Sequence, residues 1–118
     1  MKLSGSFQAC EIVCLEYEHT RLYAEVIETI AERQMCWVRP LVLVVGESAR
    51  LYDLRQGADL VWPASRFRVA LDTEVIPLLG DLNAPDRAIA DKTQGHQQLR
   101  RFVDRLWRAY PDDFGDRS

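Results

Sequence analysis

The run MCWVRPLVLVV, from Met35 to Val45, constrains this chain more than any other stretch. A helix needs about 20 apolar residues to cross a bilayer, so the run is too short to span one. Its Val, Leu and Trp side chains suit a pleated, buried surface. It therefore predicts a central β-strand with the core built around it. Pro40 interrupts that strand. Proline cannot donate to a ladder, so it belongs at an edge or a bulge. A bend there is also how a small sheet curls toward a barrel.

Around this centre the chain reads as short strands followed by a helix. Ala9–Tyr17 (ACEIVCLEY) predicts a first strand, with Glu18-His19-Thr20 as a turn. Arg21–Gln34 reads two ways. Leu22, Tyr23, Val26, Ile27, Ile30 and Ala31 fall on a helical stripe, with Thr20 as N-cap. The β-branched Val26, Ile27, Thr29 and Ile30 lose rotamer freedom in a helix. The polar Ala31–Gln34 can serve as a hairpin loop into the central run. We favour a strand. Gly46-Glu47-Ser48 and Gln56-Gly57 are turns flanking a short strand, Arg50–Arg55. Leu60–Pro63 is apolar, and Ala64–Leu71 reads as a short helix or 3₁₀ turn followed by a strand. Thr73–Leu79 (TEVIPLL) predicts a final strand. Asn83-Ala84-Pro85-Asp86 carries a helix-start signature. Leu99, Phe102, Val103, Leu106, Trp107 and Tyr110 then form one apolar face of an amphipathic helix over Gln97–Tyr110, which Pro111 ends.

At 118 residues the chain fits one domain. The predicted class is α+β: a small five-stranded SH3-like β-barrel over about residues 9–80, with an appended terminal helical segment over about 84–110. The strings RLYAEVI, CWVRPLVL and DLRQGADLVWP, spread over about Cys14–Leu79, resemble those of small uncharacterised soluble proteins of cyanobacteria. The resemblance brings no activity and no functional residue. It implies a setting, in which the partner is a subunit or assembly intermediate of a photosynthetic complex.

Charge narrows the function classes. Fifteen basic against eighteen acidic residues leave a net −3, which argues against a surface wholly given to nucleic acid. Met1–Phe7 has no signal-peptide run, and an odd count of three cysteines cannot pair fully. Reduced thiols in a cytoplasmic protein without membrane insertion are expected.

Few residues point to chemistry. Cys10, Cys14, His19 and Cys36 could form a Cys₃His zinc site, but the spacing C-x₃-C-x₄-H is not that of a knuckle. The cysteines read as small core hydrophobes. No metal and no cofactor is expected. The two histidines, His19 and His96, lie in polar stretches, and GxSxG, HExxH and phosphate-loop glycines are absent from the sequence. Asp53, Asp59, Asp72 and Glu74 could supply a carboxylate pair, with Asp72 or Glu74 serving a small enzyme. They read first as partners for Arg55, Arg66 and Arg68. The terminal helix offers more. Arg100, Arg101, Arg105 and Arg108 stand beside its apolar face with only Asp104 among them. Trp37 and Trp62 could serve a barrel as peptide-binding or base-stacking aromatics. The first expectation is a non-enzymatic protein–protein interaction or assembly module using these six residues. The alternative is an RNA-binding small barrel using the arginine helix. The sequence leaves the oligomeric state open.

Overall fold

The computed structural model describes residues 7–83 and 92–111. Six strands, β1 (Ile12–Tyr17), β2 (Thr20–Ile30), β3 (Met35–Val45), β4 (Arg50–Asp53), β5 (Leu60–Pro63) and β6 (Phe67–Val69), precede two helices, α1 (Asp72–Asn83) and α2 (Lys92–Ala109). Single 3₁₀ turns at Ala31–Arg33 and Ala64–Arg66 join β2 to β3 and β5 to β6. Every strand pairing is antiparallel, in the order β4-β3-β2-β1-β6, and β5 pairs with the half of β3 that β4 leaves uncovered.

This is an open sheet, and the expected SH3-like barrel is overturned. A barrel needs a last strand to pair the two edges together, and Thr73–Leu79 was the candidate. That stretch is helical. Val75, Leu78, Leu79 and Leu82 recur at i, i+3, i+4 and i+7, a helical stripe. The Glu74 side chain reaches back to accept the Leu71 N–H at 2.9 Å, half of a capping box. Pro77 inside the helix gives up one backbone bond without reversing this outcome. The chain therefore leaves β6 for a helix, and the β6 edge stays open.

β2 confirms the strand reading of the ambiguous segment, with Ala31–Gln34 as its loop. β3 bends as expected, through a bulge. Its register with β2 slips at Leu41, which has no partner, and again at Ile27 of β2. Pro40 lies in the gap between the β5 ladder (Met35–Val38) and the β4 ladder (Val42–Val45). The bulge also changes parity. Cys36 and Val38 face one side before it, and Leu43 continues on that side after it.

Strand alternation sorts the apolar residues onto two faces. Val13, Leu15, Leu22, Val26, Val38 and Trp62 build the larger core with Phe102 and Leu106 of α2. Cys14, Tyr23, Val42, Val44 and Leu51 build a smaller core on the opposite face with Val75 and Leu82 of α1. The fold is thus three layers, with the sheet between helices. The helix-start signature at Asn83–Asp86 falls mainly outside the described residues; Asn83 itself closes α1. α2 begins five residues before the expected Gln97.

Candidate partner-binding surfaces

Two faces of α2 have different fates. Phe102 and Leu106 are fully buried, and Leu99, Val103 and Tyr110 pack partly beside them. Gly95 lets the helix come close to β4, since a Cβ there would sit 3.2 Å from the Asp53 carbonyl oxygen. At the other end Tyr110 meets Tyr17 edge-on at 5.8 Å, and the Arg66 guanidinium lies 3.7 Å over the Tyr110 ring. The helix is held from Gly95 to Tyr110.

The four arginines lie outside this anchor and are exposed, but they are not equivalent. Arg105 turns inward. Its Nη2 donates to Thr20 Oγ1 at 3.2 Å, and Nη1 stands 3.8 Å from Glu18. Arg100, Arg101 and Arg108 make no ion pair with a described residue. Trp107 joins them. The sequence pattern set it in the apolar face, yet it is 52% exposed. Eight residues from Leu99 is 800°, which leaves Trp107 about 80° off the centre of the stripe at 100° per residue.

The tryptophans expected to mark a second contact separate. Trp62 is buried in the α2-side core and presents no surface. Trp37 stays half-buried on the opposite face, where its indole N–H donates to Asp59 Oδ2 at 3.0 Å. Arg39 holds the other oxygen of Asp59 at 3.3 Å. Strand register shows what surrounds Trp37. Glu25 pairs with Arg39, Glu28 with Trp37, and Trp37 with Val61. Ile30 and Met35 form the next row. This end of the sheet lies beyond the α1 cluster, which includes none of these residues. Val61 is 43% exposed. The six residues of the sequence expectation are therefore three exposed arginines, one tethered arginine, one surface tryptophan on the far face and one core tryptophan.

The candidates for chemistry resolve into structure. Cys10 is exposed, while Cys14 and Cys36 are buried in different cores. Burial pushes both buried thiols up to about 11. Among the described residues no group of three His, Cys, Asp or Glu could hold a metal ion. Glu74 is the centre of an ionic network at the start of α1. It takes a fork from Arg68 at 2.7 and 3.2 Å and the Tyr23 hydroxyl at 2.7 Å. The Arg68 hydrogen bonds, with help from Leu71 N–H and Tyr23, hold its carboxyl down at about 2. A carboxylate so held carries no proton to donate near neutral pH. Burial and the bond to Glu74 push Tyr23 well above the usual phenol range. Asp53 is forked by Arg55 at 3.0 and 2.8 Å. With Gln56 and His96 this pair lines a shallow pocket of about 90 Å³, room for about three waters. The sequence had no signal for that juxtaposition.

No described helix is long and apolar enough to cross a membrane. No protein-family model, curated protein or solved structure matches the chain.

Proposed function

We propose that this protein is a binding module that engages an acidic protein surface through the outer face of α2. One observation carries the reading. Arg100, Arg101 and Arg108 are exposed, make no ion pair with a described residue, and stand beside a half-exposed Trp107 on a helix whose other side is fixed by Phe102 and Leu106. Arginine and tryptophan are the residues most enriched where interfaces hold their binding energy. Guanidinium forks suit carboxylates, and a rigid helix presents them at low entropic cost. Among the groups that could suggest catalysis, Asp53, Asp59 and Glu74 are tied into ion pairs and Cys14 and Cys36 are buried in the two cores. A subunit of a photosynthetic complex is the kind of partner the sequence resemblance suggests.

The test is a native pull-down with and without nuclease, using the wild type and the Arg100→Glu, Arg101→Glu, Arg108→Glu triple variant. Nuclease-resistant acidic proteins that bind the wild type and are lost from the variant support the reading. Exposed charges on a helix contribute little to stability, so the variant should keep its fold. Partners that the variant retains would remove α2 from the interface. RNA that co-purifies and carries the bound proteins away on digestion would replace this reading with a nucleic-acid one.

A further inference from the structure

The arginine face of α2 and the Trp37 end of the sheet, which no described helix covers, lie on opposite sides of the same molecule. α2 packs on the face that carries Cys36 and Val38. Trp37 and Arg39 alternate with those residues and point the other way, where α1 does not reach. One surface carries Arg101 and Arg108 on either side of Asp104. The other carries Glu25 and Asp59 on either side of Arg39, with Glu28, Trp37 and Val61 beside them. Neither Glu25 nor Glu28 makes an ion pair with a described residue.

Their dimensions agree. Arg101 and Arg108 are seven residues apart, about 10.5 Å along a helix. Glu25 and Asp59 flank Arg39 on neighbouring chain segments, about 9.6 Å apart at the usual strand spacing. A helix laid across the strands can set its two arginines over those two acids. Asp104, midway between them on the same side of the helix, then falls over Arg39, and Trp107, about 100° round the helix from Arg108, flanks the contact. The match joins opposite charges at one spacing.

We infer that the partner of the α2 face is the Trp37 end of the sheet of a second copy of this chain. The inference rests on the reading of α2 as a binding face and names its occupant. Such a contact is heterologous, because the two surfaces differ. The pair so formed keeps one surface of each kind unused, so assembly runs head to tail and either closes into a ring or continues as a filament. The footprint is small, which puts the contact among weak, transient associations. Its ionic part makes it weaken with salt.

The test uses the purified protein alone. Sedimentation velocity at low salt, from micromolar to about 1 mM, should show average mass rising with concentration and falling back at high salt. Glu25→Gln with Glu28→Gln neutralises the sheet surface, and Arg101→Gln with Arg108→Gln neutralises the helix surface. Each double variant alone should associate about tenfold more weakly or worse. Mixed, the two should form a 1:1 dimer that does not grow, since one retains only the helix surface and the other only the sheet surface. Circular dichroism on each variant controls for the fold. A wild type that stays monomeric across the range overturns the inference. So does self-association that survives both variants, or a mixture that forms no dimer. If the wild type is monomeric but the α2 variant still loses its partners from a native pull-down, the binding module stands and only self-assembly falls.

Discussion

The two faces of the sheet are closed by different means. On the α2 side the helix inserts Phe102 and Leu106, at 0% and 1% exposure, among fifteen buried residues that include Tyr52, Trp62 and Phe67. On the α1 side the buried set has eight members among the described residues, of which the helix contributes Val75 and Leu82, at 5% and 8%. α1 also carries Pro77, which removes a helical hydrogen bond, and Gly80, which favours the unfolded chain. What it has instead is Glu74, joined to Arg68, Tyr23 and its own first turn. One helix is held by apolar depth. The other is held at one end by a charged network over a thin core. The face with the deeper core is the one whose helix can offer its outer side to a partner without strain.

If depth holds α2, truncating its anchor should be the most damaging single change. Phe102→Ala should cost about 3–5 kcal/mol, and Leu82→Ala on α1 about 2 kcal/mol, the low end for such truncations. On the same helix Trp107→Ala should stay within about 0.5–1 kcal/mol, because half of the indole already faces water. Urea unfolding midpoints check all three. Equal losses at Phe102 and Leu82 would break the contrast. A large loss at Trp107 would mean that its ring anchors the helix and is not available to a partner.

If charge holds α1, acid should loosen that side. The folded carboxyl of Glu74 titrates at about 2 against 4.5 for the free side chain. A depressed carboxylate contributes stability that is complete above the unfolded value and disappears as pH falls through the folded one. Stability should thus decline between about pH 4.5 and 2. The contribution is about 1–3 kcal/mol, discounted because Arg68 is 44% exposed. Glu74→Gln keeps acceptors for Tyr23 and Leu71 but loses the charge. It should be weaker at neutral pH and flatter across that acid range. A variant whose acid profile matches the wild type would show that Glu74 is not the group that holds α1.

These two regions were unequally legible in the sequence. α2 was readable because Leu99, Phe102, Val103, Leu106 and Tyr110 repeat cleanly over a segment too long for a strand. Its start was set five residues late, and Trp107 was misplaced by accepting an eight-residue offset as on-face. β2 was readable because its β-branched residues outweighed an accidental helical stripe. α1 was misread. TEVIPLL looks like a strand when taken alone, and the stripe emerges only when Leu82 is joined to Val75, Leu78 and Leu79. The cap that fixes it depends on Glu74 meeting Arg68 and Tyr23, the latter 51 residues distant in sequence. The barrel fell with that segment, since closure depended on it. Trp37 and Trp62 both stand close to prolines. Which one reaches the surface is decided by strand parity beside the Leu41 bulge, and local pattern carries no record of that.

The smallest expected difference tests the comparison most directly, because one thiol lies under each helix. Cys14 belongs to the α1-side core and Cys36 to the α2-side core, and both are fully buried. Burial is the largest cause that raises both to about 11, so each thiol reacts when its cover opens. Any difference in alkylation rate then reports opening of the covering layer. Cys10 is exposed and should react at once. Cys14 should follow, and Cys36 should react last, about tenfold more slowly, which corresponds to a gap of about 1.4 kcal/mol between local opening and deeper unfolding. Glu74→Gln should accelerate Cys14 and leave Cys36 nearly unchanged. Phe102→Ala should accelerate both, since losing the larger core brings global unfolding within reach. Equal rates for the two buried thiols in the wild type would mean that α1 opens only with the whole molecule. The charged network would then hold its side as firmly as apolar depth holds the other.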